Sequence, residues 1–332
     1  MSEIEQQLKA NIFDFIELIN KNRELPIGKS TKIIYRNSIF RIYNNFFKDI
    51  LKKEISNEFQ PEIFINFQPK ILLYIKNNDK FSLEIKRGFI STIIFIINGL
   101  SRKEIIYTTY LNELNKYKKE IFDVKKTQKK TVSESNNWVE QSEVIDAYNK
   151  YKNLYSNLLD KKILNENEYN NLQNYIIISL FRLNSPRRLN DYITMKYFNF
   201  DKEKDNYVDL KRKQFVFNDY KTNKFFKQNK VEINDELLDI LTKFIKIKKS
   251  KKNKFNKELL LENQNSEMIK QSSLAIRFKT IFNTDKNIST TLLRKIFVSN
   301  FYKDDIKNKD IEILENDMAH SNKTQKLFYT KY

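Results

Sequence analysis

MAHSNKTQKLFYTKY, residues 318–332, holds the only histidine of the chain, His320, followed by tyrosines at 329 and 332. A chain that does without histidine elsewhere and keeps one nine residues ahead of a tyrosine asks for the two to be read together. A tyrosine hydroxyl titrates near ~10 in water and is a poor nucleophile at neutral pH. Cationic neighbours favour its phenolate, or a neighbour accepts its proton as it attacks. If the electrophile is a phosphodiester, the same cations stabilise the negative charge that builds in the transition state. A tyrosine acting on a phosphate therefore needs several fixed cations around it.

Upstream segments supply candidates. SPRRLNDYITMKY (185–197) places Arg187 and Arg188 just after a proline, at a helix start. NDYKTNKFF (218–226) places Lys221 in a strand turn, with Lys224 as an alternative. LLRKIFVSNF (292–301) places Arg294 in an amphipathic helix, where Leu292 and Leu293 predict partial burial. A buried arginine needs a partner. His320 ends a helix, and Ser321 and Asn322 begin the next turn. The bland readings are a histidine resting on a helix dipole, a terminal aromatic, and an arginine in a salt bridge with Asp191.

Taken in chain order, these segments resemble the catalytic domain of the tyrosine recombinase (phage integrase) family. That family carries an arginine, a hairpin lysine, a His-x-x-Arg box, a His or Trp, and a nucleophilic tyrosine. SPRRLNDYITM resembles the first-arginine motif, with an acid three residues after the arginine and apolar residues four and seven after. Arg188 fits it with Asp191, Tyr192 and Met195, which favours Arg188 over Arg187. Lys221 in YKTNK resembles the hairpin lysine, and TLLR (291–294) resembles the His-x-x-Arg box. MAHSNKTQKLFY resembles the family's Leu-Gly-His-Ser stretch, whose spacing selects Tyr329 over Tyr332. The resemblance covers roughly 136–332. Its Pro-Arg-Arg…Asp-Tyr form is most similar to integrases of large DNA viruses and eukaryotic mobile elements. Thr291 departs from the usual histidine, although its hydroxyl can still bond a phosphate oxygen. Ala319 replaces a common glycine. Many members continue past the tyrosine with a helix that packs on a neighbouring subunit, and here three residues follow Tyr329.

The resemblance implies catalytic roles for Arg188, Lys221, Thr291, Arg294, His320 and Tyr329. Tyr329 would attack a DNA phosphate to give a 3′-phosphotyrosyl bond. Arg188, Arg294 and His320 would hold the non-bridging oxygens, Thr291 would add a hydrogen bond, and Lys221 would protonate the leaving 5′ oxygen. No cofactor, ATP or metal is implied. The implied partner is double-stranded DNA, bound by a homo-tetramer. A type IB topoisomerase shares the same residue set, and a catalytically inactive DNA-binding relative is the third reading.

Composition agrees with a polyanionic partner. Lysine and arginine number 61 against 42 acids, a net charge of +19. There are no cysteines, which excludes disulfides and thiolate metal sites, and one histidine makes a His-based zinc or iron site unsuited. The longest apolar run, GFISTIIFIINGL (88–100), is too short for a membrane span and reads as a buried helix. MSEIEQQLKA lacks the basic n-region of a signal peptide. The expectation is an intracellular, DNA-associated protein with no membrane partner.

The fold class expected is mainly α, in two domains. Residues 1–123 read as a helical, core-binding-like domain, with helices at 3–21, from Ser30 or Thr31 to Leu51, and at 62–77, 83–98 and 102–122. Residues 124–136 read as a polar basic linker, and 137–332 as the catalytic domain. There, helices are expected at 141–160, 166–183, 235–248, 266–282, 290–303 and 308–319. YVDL (207–210), QFVFNDY (214–220) and KVEI (230–233) form a small antiparallel sheet, and the basic stretch 246–258 reads as a solvated loop.

Overall fold

The computed structural model describes residues 2–100, 104–250, 254–303 and 307–332, and the chain divides into two compact units, Met1–Lys125 and Lys126–Tyr332. The architecture is mainly helical, with one three-stranded antiparallel sheet. Among the described residues no helix is long and apolar enough to cross a membrane.

In the first unit, Ser2 and Glu5 form a reciprocal capping box that starts α1 (Glu3–Lys21). The 3–4 spacing of Leu8, Ile12, Ile16 and Ile19 then buries one face. Helix α2 (Lys29–Phe46) begins after Gly28 rather than at a Ser30 or Thr31 cap, and its last turn widens into a π-helical turn over Phe47–Leu51. The helix expected at 62–77 is two pieces, α3 (Ile63–Asn66) and α4 (Gln68–Asn77). Pro69 has no N–H to continue the ladder and sits where a new helix can begin. Helix α5 (Leu83–Gly99) is the apolar run, buried from Phe89 to Ile97 apart from Ser91. Gly99 allows α5 to meet α1 closely, because a Cβ there would fall 2.2 Å from Ile19 Cγ1. Helix α6 (Glu104–Lys126) closes this core with Tyr110, Leu114 and Tyr117. The expected start of that helix, 102–103, lies outside the described residues.

Residues 124–136 are not an open linker. Helix α6 runs through Lys126, and α7 (Val132–Asn137) starts from a Thr131–Glu134 capping box. Gln128 Nε2 donates to the Lys326 carbonyl at 2.6 Å, and the Tyr332 N–H donates to the Gln128 carbonyl at 3.1 Å. Polar composition suggested a linker, but these side chains and carbonyls are used to hold the C-terminal segment.

The second unit packs α8 (Gln141–Tyr155), which continues as a 3-10 turn through Asp160, against α9 (Glu166–Arg182). Helix α10 (Leu189–Ile193) follows. Strands β1 (Tyr207–Asp209), β2 (Gln214–Phe217) and β3 (Asn229–Glu232) lie in the order β1-β2-β3, with Phe215 opposite Val231. Phe215, Phe217 and Val231 are buried in the same core as Leu172, Ile176 and Leu180 of α9. The β2–β3 connection carries the short α11 (Asn223–Phe226). Helix α12 (Asp235–Lys249) precedes α13 (Gln271–Phe282), which begins five residues later than expected. Asn263 there accepts the N–H groups of Asn265 and Glu267, a side-chain turn that competes with helix. Helices α14 (Thr290–Phe301), α15 (Asn308–Met318) and the short α16 (Asn322–Thr324) lead into a π-helical turn, Gln325–Tyr329.

The basic stretch 246–258 is not uniformly solvated, although 251–253 lie outside the described residues. Lys248 is fully buried, 3.2 Å from the carboxylate of Glu262, which is 1% exposed. Its ammonium donates to Tyr169 Oη at 2.8 Å. Burial pushes the lysine down to about 8 while Glu262 opposes that shift. Lys248→Met alone strands a buried carboxylate and is expected to cost about 3–5 kcal/mol. The double variant Lys248→Met/Glu262→Leu is expected to regain most of it. Urea denaturation of the two variants measures the difference, and equal losses would refute the pairing.

Candidate active site

Four elements distant in sequence bring their polar groups to one place in the second unit. The chain leaves α9 through Asn184-Ser185-Pro186 and places Arg187 and Arg188 at the start of α10, with Arg188 as its N-cap residue. Helix α14 supplies Arg294, 2% exposed, whose Nε donates to the Pro186 carbonyl at 3.2 Å. Helix α15 ends at Ala319, whose backbone is left-handed at φ 47°. That conformation normally favours glycine and costs an alanine about 1–2 kcal/mol. It turns the chain so that His320 points back into the unit, where it is 4% exposed.

Arg188 Nη2 and Arg294 Nη2 both reach the His320 ring, the latter at 3.1 Å from Nε2. Arg294 Nη1 donates to the hydroxyl of Tyr329 at 2.9 Å. The Arg294 guanidinium lies 4.8 Å from the Tyr329 ring centre, and the His320 and Tyr329 rings are 4.9 Å apart. One arginine thus bridges the histidine and the tyrosine. Tyr332 is 73% exposed and meets the rest of the unit through its backbone N–H.

Arg187 has a different setting. It is buried, its Nε donates to Asp191 at 2.9 Å, and its Nη1 donates to Asn229 Oδ1 at 2.9 Å and to the Asp317 carbonyl at 2.8 Å. Phe217 and Tyr220 lie against its guanidinium. The Asp191 carboxylate therefore pairs with the arginine four residues before it, not with Arg188.

Lys221 is exposed on the β2–β3 connection, close enough for its charge to act on His320. The neighbouring Thr222 hydroxyl donates to the Ala319 carbonyl at 3.2 Å, tying this connection to the histidine turn. Lys224 instead lines an open cleft with Glu203, Asn218 and Gln228. Thr291 is exposed in the first turn of α14, one turn ahead of Arg294, and among the described residues it makes no hydrogen bond to the cluster.

Sequence reasoning missed the two asparagines that hold this geometry. Buried Asn206 accepts the N–H groups of Asn218 and Asp219 at 2.9 Å and donates to the Asp219 carbonyl at 2.8 Å, fixing the base of the β2–β3 connection. Asn229 accepts from Arg187 and donates to the Asn316 carbonyl at 3.0 Å, joining β3 to α15. It also missed Glu134, which pairs with Lys295 of α14 and lies 4.0 Å from Lys331. Burial raises this carboxyl, but Lys295, the Thr131 N–H and Lys331 together bring it below its ordinary value. Ser299 Oγ accepts the Lys331 N–H at 2.8 Å and donates to the Tyr329 carbonyl at 3.3 Å, so the tyrosine's own turn is anchored on α14.

The cluster is rich in positive charge. Among the described residues Arg188, Arg294 and Lys221 form no ion pair with a carboxylate, and Asp191 is engaged by Arg187. Arg188 Nη1 is buried without a hydrogen-bond partner among the described residues, as are Arg187 Nη2 and Asp191 Oδ1 within the neighbouring ion pair. Unpaired buried donors on cations are costly, and an oxyanion is the group that satisfies them. The arrangement therefore fits an anionic, tetrahedral ligand lying beside the Tyr329 hydroxyl. Among the described residues no cluster of acids and histidine could hold a metal ion.

Burial, then the charges of Arg294, Arg188, Arg187 and Lys221, push His320 down to about 2. It is neutral at physiological pH in the folded protein, while the unfolded chain protonates near ~6.5. The unfolded state then binds more protons than the native state between these values, so stability falls as pH drops below about 6.5. At pH 5 the histidine's share of that loss is expected to be about 2 kcal/mol. His320→Gln, which keeps an acceptor for the arginines, is expected to flatten the stability profile between pH 7 and 5 by that amount. Identical profiles would show that the histidine titrates alike in the folded and unfolded chain and would refute the downward shift.

No family model and no curated protein matches this sequence. Among solved structures, the chain is similar to one titled "Crystal structure of XerA recombinase". The likeness has a TM-score of 0.43 and 12% identity, and covers 98% of this chain and 94% of that one. At that distance the likeness is coarse, and the site is read from its own contacts.

Proposed function

We propose that the protein is a tyrosine site-specific recombinase that cuts and rejoins double-stranded DNA. The observation that carries this reading is the single guanidinium of Arg294 touching both the Tyr329 hydroxyl and His320, with Arg188 on the same imidazole. A phosphodiester held by Arg188, Arg294 and His320 lies where the tyrosine oxygen can attack it. In the proposed step the Tyr329 oxygen bonds to phosphorus and the bond to the 5′ oxygen breaks. The phenol proton leaves to solvent, which the half-buried ring meets. Lys221 donates a proton to the departing 5′ oxygen. Exposed Thr291 adds a hydrogen bond from the DNA side. A 5′ hydroxyl of a partner strand reverses the step and completes strand exchange.

The phosphotyrosyl bond conserves the energy of the phosphodiester, so the cycle runs without ATP. Catalysis is then positioning and electrostatics. Exchange between two duplexes cuts four strands, one tyrosine for each, which calls for a homo-tetramer on DNA. An integrase of a virus or mobile element is the setting that the Pro-Arg-Arg form supports.

A type IB topoisomerase is the second reading, because one chain holds the tyrosine and its cations together. The test is covalent trapping on nicked duplexes, which lose the leaving strand and strand the intermediate, run with EDTA present. A protein–DNA adduct on a denaturing gel is the expected result. Absence of adduct on a duplex pool that the protein binds would favour an inactive DNA-binding role. Relaxation of supercoiled plasmid without any recombinant product would favour the topoisomerase.

A further inference from the structure

The β2–β3 connection carries two aromatic rings that the proposed chemistry does not use. Short helix α11 leaves Phe225 84% exposed and Phe226 38% exposed. Neither ring packs on another aromatic ring among the described residues. Two adjacent phenylalanines leave apolar surface in water whose burial against a partner is favourable. Their setting is basic. Lys221, Lys224, Lys227 and Lys230 are all exposed on this connection and the strand after it, against the carboxylates of Asp219 and Glu203.

The tip is also held firmly. Tyr220 Oη donates to the Lys227 carbonyl at 2.6 Å, and Asn223 Nδ2 donates to the Asn218 carbonyl at 3.1 Å. Gln228 Nε2 donates to Asn218 Oδ1 at 2.9 Å. Lys227 itself is kept at φ 50° and ψ −143°, a conformation rarely open to a residue with a side chain. Together with the Thr222–Ala319 hydrogen bond, these contacts fix the rings in place relative to His320.

We propose that Phe225, supported by Phe226, wedges against the base stack of DNA beside the phosphate held at Arg188 and Arg294. Lys224 and Lys227 take the flanking phosphates. Proteins that kink or unstack a duplex combine apolar wedges with nearby cations in this way. A protein partner or a second copy of the chain would meet the same rings, but the lysine surround matches a polyanion better. The wedge has a purpose in the reaction. Strand exchange must unpair the bases next to the cut, and a ring fixed there lowers the cost of that opening. The inference rests on the recombinase reading.

The experiment uses the full chain and nicked duplexes carrying 2-aminopurine at each position around the nick, with adduct formation measured in the same samples. Wild type is expected to brighten the 2-aminopurine beside the trapped phosphate. Phe225→Ala is expected to remove that signal and weaken binding to the nicked duplex by on the order of 10-fold, while leaving the salt dependence unchanged. Phe225→Trp is expected to keep both. An adduct formed with no 2-aminopurine change in wild type, or an unchanged signal in Phe225→Ala, would overturn the wedge and spare the recombinase reading. A shift in sedimentation of Phe225→Ala with an unchanged signal would reassign the rings to a protein contact. Failure of wild type to bind or to form an adduct would overturn both.

Discussion

Tyr329→Phe is expected to abolish the covalent protein–DNA adduct, with a fall on the order of 10⁴-fold or more. The substitution removes one oxygen and little else. The ring still packs against the Arg294 guanidinium and the His320 imidazole, at 4.8 and 4.9 Å. Its carbonyl still receives the Ser299 hydroxyl at 3.3 Å. The variant is therefore expected to fold and to bind duplex as wild type does, which separates chemistry from binding. Among the described residues the hydrogen bond lost is the one from Arg294 Nη1, and a phosphate oxygen can replace it. Tyr332→Phe is expected to leave adduct formation unchanged, because that side chain is exposed and its anchoring uses the backbone N–H. Denaturing gels of the three proteins on nicked duplexes decide the matter. Loss of adduct only in Tyr332→Phe would move the nucleophile and break the nine-residue spacing from His320.

The period of α1 was readable because that helix buries one side, whereas α5 and α9, buried nearly all round, were readable as long apolar runs. In α1 the spacing of Leu8, Ile12 and Ile16 leaves no other solution, and the short run of Phe and Val in QFVF, buried at Phe215, Val216 and Phe217, marks β2. The convergence of Arg294, His320 and Tyr329 was visible only as an order of residues along the chain, since spacing carries no information on which side chain touches which. Composition misled at 124–136, where a polar, basic stretch supplies Gln128 and Glu134 to hold the C-terminal segment. It misled again at Lys248, because a lysine run reads as solvated and nothing local announces the Glu262 partner fourteen residues on. Asn206 and Asn229 were invisible for a related reason. A buried amide that satisfies distant backbone groups has the same one-letter signature as a surface asparagine in a chain rich in them. Thr291 shows the limit of motif spacing. Its place three residues before Arg294 puts it on the neighbouring turn, but spacing alone did not show that its side chain is exposed and makes no hydrogen bond to the other site residues among the described residues.

Arg187 and Arg188 are adjacent, identical in type, and expected to fail in opposite ways. Arg187 is 1% exposed and is tied to Asp191, Asn229 and the Asp317 carbonyl. Burial raises the Asp191 carboxyl, and Arg187 is first among the charges that oppose it. Arg187→Ala leaves that carboxylate buried without its ion pair and opens a hole beneath Phe217 and Tyr220. A loss of about 3–5 kcal/mol is expected. Arg187→Lys is expected to recover little, because an ammonium cannot serve Asp191, Asn229 and a carbonyl in one plane. Arg188 contacts His320 and stands near Arg294, a like charge that also lowers the histidine. Removing it relieves repulsion as well as a hydrogen bond, so Arg188→Ala is expected to change stability by less than about 1 kcal/mol. Its cost falls on the chemistry, because one donor to the developing oxyanion is gone. A drop in adduct formation of about 10²–10³-fold is expected. Chemical denaturation and trapping on nicked duplexes, run on both variants, separate the two. An unstable Arg188→Ala beside a stable but inactive Arg187→Ala would exchange the roles and move the phosphate toward β3.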